Sequence, residues 1–145
     1  MNGIDHLLDT NIVIGLLKGS EPAVMLAKQH SLTLSRAGIS QITRMELLGF
    51  PGLEAAEEQA TRAFLGACRV ILLDEHIEQE AIRLRRAGLL KLPDAIIAAS
   101  ALVSGARLLT LDQRLAGVML EQEGIRKNLT SLGVTLDPAT NGPTR

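Results

Sequence analysis

Asp9, Glu46, Asp94 and Asp112 are the residues of this 145-residue chain whose types and settings could do chemistry together. Asp9 follows His6-Leu7-Leu8 and precedes Thr10-Asn11, so a buried strand would deliver it to its C-terminal tip. Asp112 closes Leu108-Leu109-Thr110-Leu111 in the same manner. Asp94 follows Pro93 and opens a segment, Asp94 to Ser104, that is apolar nearly all round. Glu46 has Ile42, Gly49 and Phe50 three or four residues away, which sets it in or beside an apolar helix stripe. Each has a structural explanation when taken alone: a helix cap for Asp9 and Asp94, a turn for Asp112, a salt bridge for Glu46. Glu46 fits such a role least well, because an unpaired buried carboxylate is costly.

The four acids gain meaning as a set. Two carboxylates about 4 Å apart repel by roughly 4 kcal/mol at an effective dielectric near 20. Four would not gather without a cation or protonation. All-oxygen ligands suit Mg²⁺ or Mn²⁺, with water and substrate phosphate filling the remaining positions. Such a centre can activate a water and clamp a phosphodiester during in-line displacement.

The elements that must position these groups are legible as alternating strands and helices. Strand-length apolar runs occur at residues 4–8, 37–39, 69–73 and 107–111, with a possible edge strand at 133–136. Helical patterns occupy 10–18, closed by Gly19, then 21–30, 40–49, 53–65 and 75–87, and the segment from Asp94 to Ser104. The charged stretch 113–132 reads as helical in pieces. Strands separated by helices predict an α/β fold with a central, mainly parallel sheet of four to five strands flanked by helices. Asp9 and Asp112 both follow directly after strands and should share one edge of that sheet.

Composition narrows the class. The chain is 46% hydrophobic and 21% charged, as in a folded globular domain and unlike a disordered one. Its longest nearly apolar stretch, 95–103, is too short to span a bilayer, and no secretory signal opens the sequence. A cytoplasmic location is expected by default. The lone cysteine, Cys68, excludes a disulfide and reads as a buried thiol. Net charge is −1, yet with four acids set aside for a cation the rest carries 15 basic against 12 acidic residues. With Phe50 and Phe64 the only aromatic residues, base stacking cannot be the main grip on a strand, leaving phosphate contacts and metal. Arg83, Arg85, Arg86 and Lys91 form a basic run, read as a solvated face or a substrate-backbone contact. His6, His30 and His76 show no metal-ligand spacing, and the glycines lack a phosphate-loop pattern. An aspartyl-phosphate phosphatase, which also starts from a strand and an Asp, would need a second Asp where Asn11 stands.

The stretches LLDTNIVIGLL, ISQITRMELLGF and LPDAIIAASALVSGARLLTLDQRL resemble PIN-domain proteins, specifically VapC-type toxins of bacterial toxin–antitoxin pairs. The resemblance spans residues 4 to 136 and implies a metal-dependent ribonuclease on a PIN-like fold, with residues 1–138 one domain and 139–145 a frayed tail. It maps the catalytic acids onto Asp9, Glu46, Asp94 and Asp112, holding Mg²⁺ or Mn²⁺ directly or through water. Thr10, Asn11 and Thr110 would support them from behind. It further implies an RNA substrate, a homodimer and a small antitoxin whose tail lies across the site. A degenerate, binding-only PIN fold is the alternative. Two departures stand out: Leu115-Ala116 replaces an Asp followed by Phe found in many relatives, and 117–132 is longer than in compact members.

Overall fold

A computed structural model describes residues 3–133 of the chain. Four strands, β1 (His6–Leu8), β2 (Ala37–Ser40), β3 (Arg69–Ile71) and β4 (Arg107–Leu109), form one sheet in the order β3-β2-β1-β4. Every pairing is parallel, with Leu7 opposite Gly38 on one side and Leu108 on the other. The first strand of the chain therefore lies inside the sheet, where its end is flanked by protein on both sides.

Helices α1 (Thr10–Lys18), α2 (Glu21–Gln29), α3 (Gln41–Leu48), α4 (Ala55–Ala67), α5 (Glu75–Arg86), α6 (Leu92–Ser104) and α7 (Gln113–Ser131) complete the described fold. Side chains alternate along β1, so Leu7 and Leu8 enter different cores. Leu7 packs with Ile77 and Leu84 of α5, Ile97 of α6, and Leu115 and Met119 of α7. Leu8 packs with Ile12 and Val13 of α1, Leu47 of α3 and Leu65 of α4. Both faces of the sheet are covered, as a parallel sheet requires.

The α/β class and the parallel sheet follow the sequence expectation, with refinements that have physical causes. Helix α6 starts two residues early: Lys91 is its N-cap and Pro93 lies in the first turn, so Asp94 sits inside the helix rather than opening it. From Ala95 to Leu102 every residue of α6 is buried, as its apolar sequence demands. The stretch expected to be helical in pieces is one helix, α7, despite Gly117 and Gly124. Burial of Leu115, Met119 and Gln122 holds it, and Arg83 Nη2 on α5 donates to Gln122 Oε1 at 2.7 Å. Strand β3 ends at Ile71; Leu72 and Leu73 are exposed. Cys68 is half-buried at the C-cap of α4, not fully buried, and desolvation pushes its thiol up to about 11. Apart from Gly133, the expected strand at 133–136 and the tail at 139–145 lie outside the described residues. Among the described residues, no helix is long and apolar enough to cross a membrane.

Candidate metal centre

Asp9 leaves the C-terminal end of β1 and caps α1 in a single step. Its backbone N–H still belongs to the sheet, donating to Leu109 O at 2.9 Å, while its carbonyl accepts the first helical bonds of α1. The side chain is 5% exposed, so its oxygens need partners. Oδ1 accepts from Thr10 N at 2.8 Å and Oδ2 from Thr110 Oγ1 at 2.6 Å. The N-cap and the candidate ligand are thus one residue, because only one lone pair of Oδ1 is needed for the cap.

Thr110 ties two acids together. Its hydroxyl donates to Asp9 and accepts from Asp112 N at 2.9 Å and Asn11 Nδ2 at 3.4 Å. Asn11 Oδ1 in turn accepts from Leu111 N at 3.1 Å, so its amide clamps the β4 exit to the start of α1. Asp112 caps α7, its Oδ1 accepting from Arg114 N and Leu115 N. The turn expected there is a helix cap.

Glu46 departs from expectation. Thr43 and Leu47 fill the buried side of α3, and Glu46 is exposed at the groove rather than set in the apolar stripe. Oε1 accepts from Thr10 Oγ1 at 2.7 Å. That hydroxyl also meets Thr43 Oγ1 at 2.9 Å. Thr10 has one proton, and a carboxylate only accepts, so Thr43 is the donor of the second bond. Thr43, fully buried and one helical turn before Glu46, escaped sequence reasoning. The available signal was its i−3 spacing from Glu46.

Asp9, Thr10, Asn11, Glu46, Asp94 and Asp112 line one groove of about 620 Å³. All four acids thus come together from four separate elements. Asp94 carries the electrostatic signature of this convergence. Its carboxyl is held above the usual range by burial first, then by the charges of Asp9, Asp112 and Glu46, with Arg114 opposing. Among the described residues, however, no three acidic, histidine or cysteine side chains already stand as a closed ligand set. Like-charge repulsion favours that spread. The donor chemistry still fits Mg²⁺ or Mn²⁺, which commonly takes one or two carboxylates and keeps several waters between itself and the others.

Leu115 resolves one sequence concern. It is 1% exposed in the core beneath α7, so an acid at this position would be buried away from the groove. The substitution removes no ligand that this backbone could present.

A parallel α/β sheet with an acidic groove at the strand ends defines the class, and the comparisons give the family. The PIN-domain profile matches residues 6–119, and the chain belongs to the PIN-domain family. Its structure is similar to a toxin–antitoxin complex from Klebsiella pneumoniae, at 34% identity over 74% of this chain and 87% of the other, with a TM-score of 0.63. It is also similar to FitAcB from Neisseria gonorrhoeae, at 25% identity over 79% and 92%, TM-score 0.63. A third is DNA-bound VapBC from Salmonella typhimurium, at 26% identity over 71% and 83%, TM-score 0.56. No curated protein sequence gives a match. The resemblance to VapC-type PIN proteins is borne out.

Proposed function

We propose that the chain is a Mg²⁺- or Mn²⁺-dependent endoribonuclease, the toxin of a toxin–antitoxin pair, acting as a single domain over residues 1–138. The observation that carries this reading is the gathering of Asp9, Glu46, Asp94 and Asp112 on one groove, with Asp94 feeling the other three charges. When bound, the metal would supply positive charge for the phosphate and a water of lowered pKa. Asp9 and Asp94 are the more enclosed ligands, and Asp112 and Glu46 would act directly or through water. Thr110 and Asn11 hold Asp9 in register with the β4 exit, while Thr10 and Thr43 fix one oxygen of Glu46. In the reaction, a water oxygen bonds to phosphorus as the P–O3′ bond breaks, a carboxylate of the groove accepts the proton given up by the attacking water, and the leaving 3′ oxygen takes its proton from a solvent water.

Asn11 counts against a phosphatase acid/base, since its amide is engaged at both ends in the turn. The toxin–antitoxin neighbours support an antitoxin as partner; that it is small and covers the acidic groove, and that the chain forms a homodimer, are expected from the family resemblance. The test is incubation of purified protein with RNA and DNA strands, with Mn²⁺ or chelator, beside Asp9→Asn. Cleavage confined to RNA with metal, and lost in the variant, is the expected result. Metal-independent cleavage, or cleavage surviving Asp9→Asn, would sink the mechanism.

A further inference from the structure

The groove does not end at the acids. It continues between α1 and α4, past Ile14, Leu17, Leu53 and Ala60 to Lys18, with Phe50 on its rim. Phe50 is 65% exposed, whereas Phe64, the other aromatic ring of the phenylalanine-tyrosine-tryptophan class in the chain, packs against the second core. Exposure of a ring at this place is not slack. Leu53 N donates to Phe50 O at 3.2 Å across Pro51-Gly52, and Gly52 has φ +84°. Those features make a type II turn with Pro and Gly at the positions the turn prefers. On the other side, a Cβ at Gly49 would stand 2.7 Å from Met45 O. A close-packed glycine and a Pro-Gly turn thus fix the backbone on either side of this exposed ring. Phe50 stands two residues past the end of α3 and lines the same groove as Glu46.

We infer that Phe50 is a stacking platform for an unpaired base of the substrate strand next to the scissile phosphate. This rests on the ribonuclease reading above and names its substrate form: a single-stranded or everted nucleotide, since the face of a paired base is covered by its stack. Every base has a π-face, so the platform grips without choosing sequence. The ends of the groove suit a polyanionic strand. A bound cation at the acids would hold one phosphate, and Lys18 is the single basic residue among the described residues lining the groove. Lys18 lies nine residues along α1 from Asp9, roughly 13 Å by helical rise, and would meet a neighbouring phosphate rather than the same one. Glu57 also lines this end, but one of its oxygens is held by Glu54 N in the α4 capping box.

The sequence contains no Trp or Tyr, so Phe50→Trp installs the only indole of the protein exactly where the base would stack. The full chain carrying this change is titrated with single-stranded RNA, with the same strand made abasic, and with an amphipathic leucine–arginine peptide. Indole fluorescence reports stacking, and anisotropy of end-labelled RNA reports binding separately. Expected is quenching by the RNA and little by the abasic strand. In the cleavage assay, Phe50→Ala is expected to raise KM roughly 5- to 150-fold with kcat changed far less, and Phe50→Trp, which keeps a π-face, to change KM far less than Phe50→Ala does. RNA that binds and is cut without quenching, or with equal quenching by the abasic strand, overturns the stacking role alone. A response to the peptide only assigns the ring to a protein partner and overturns it too. Absence of any RNA binding by anisotropy removes the ribonuclease reading, and the inference falls with it.

Discussion

At the scale of single residues, two of the four acids of the candidate centre, Asp9 and Asp112, also hold the fold together. Asp9 caps α1 with one oxygen and keeps lone pairs toward the groove; Asp112 does the same for α7. Asp94 has the least structural reason to be charged. Its folded pKa lies above the ordinary 3.8, chiefly through burial and then through Asp9, Asp112 and Glu46. The folded chain therefore holds more protons than the unfolded one in the window just above 3.8. Stability falls as pH rises through that window and stays reduced at neutral pH. Asp94→Asn should accordingly lower metal-dependent cleavage by roughly 100-fold or more while leaving the metal-free melting temperature at pH 7 equal or higher. Thermal melts of metal-free protein at pH 4 and pH 7 check this; a large loss of stability would instead assign Asp94 a structural role. Thr43→Val tests the support behind Glu46. It removes the donor to Thr10 without leaving a buried hydroxyl of its own, so destabilisation of about 1 kcal/mol is expected. A fall in kcat larger than the loss of folded protein would show that the Thr43–Thr10–Glu46 chain orients the carboxylate.

At the scale of elements, α1 and α2 approach closely at Gly15 and Ala23. A Cβ on Gly15 would stand 2.5 Å from the Cβ of Ala23, whose side chain is fully buried. Gly15→Ala must push the helices apart, with an expected cost of about 1–3 kcal/mol and a melting temperature lower by several degrees, on the order of 2–8 °C. Urea denaturation with an unchanged m-value would confirm a packing effect. This contact was invisible in the sequence, because it joins residues whose spacing matches no single helix face. Local signals fared better. Gly19 closing α1 and the apolar run of α6 place elements where they are found. The charged α7 stretch, read as helical in pieces, is one helix because burial of Leu115, Met119 and Gln122 holds it together. Glu46 misled as well. Of the neighbours that suggested an apolar stripe, Phe50 is exposed on the groove and only Ile42 packs against a core.

At the scale of the whole molecule, a net charge of −1 conceals a concentrated acidic groove on an otherwise slightly basic chain. Bringing four carboxylates to one place costs stability that a bound cation would return, so metal binding in the groove would be coupled to folding. A ligand at about 100 times its Kd adds roughly 2.7 kcal/mol to folding. Mn²⁺ should therefore raise the melting temperature, and by more at pH 7 than near pH 4, where the raised pKa of Asp94 lets protons compete with the ion for its carboxylate. In metal-free protein the Asp94 contribution runs the other way, favouring the acidic end. The two trends cross, and that crossing separates specific binding in the groove from general screening by salt. Matched ionic strength with NaCl should shift neither curve in the manner of Mn²⁺, and Asp94→Asn should flatten both. A melting temperature indifferent to Mn²⁺ at pH 7 would mean that the groove holds its charges apart without a cation, and would leave the fold as a binding module.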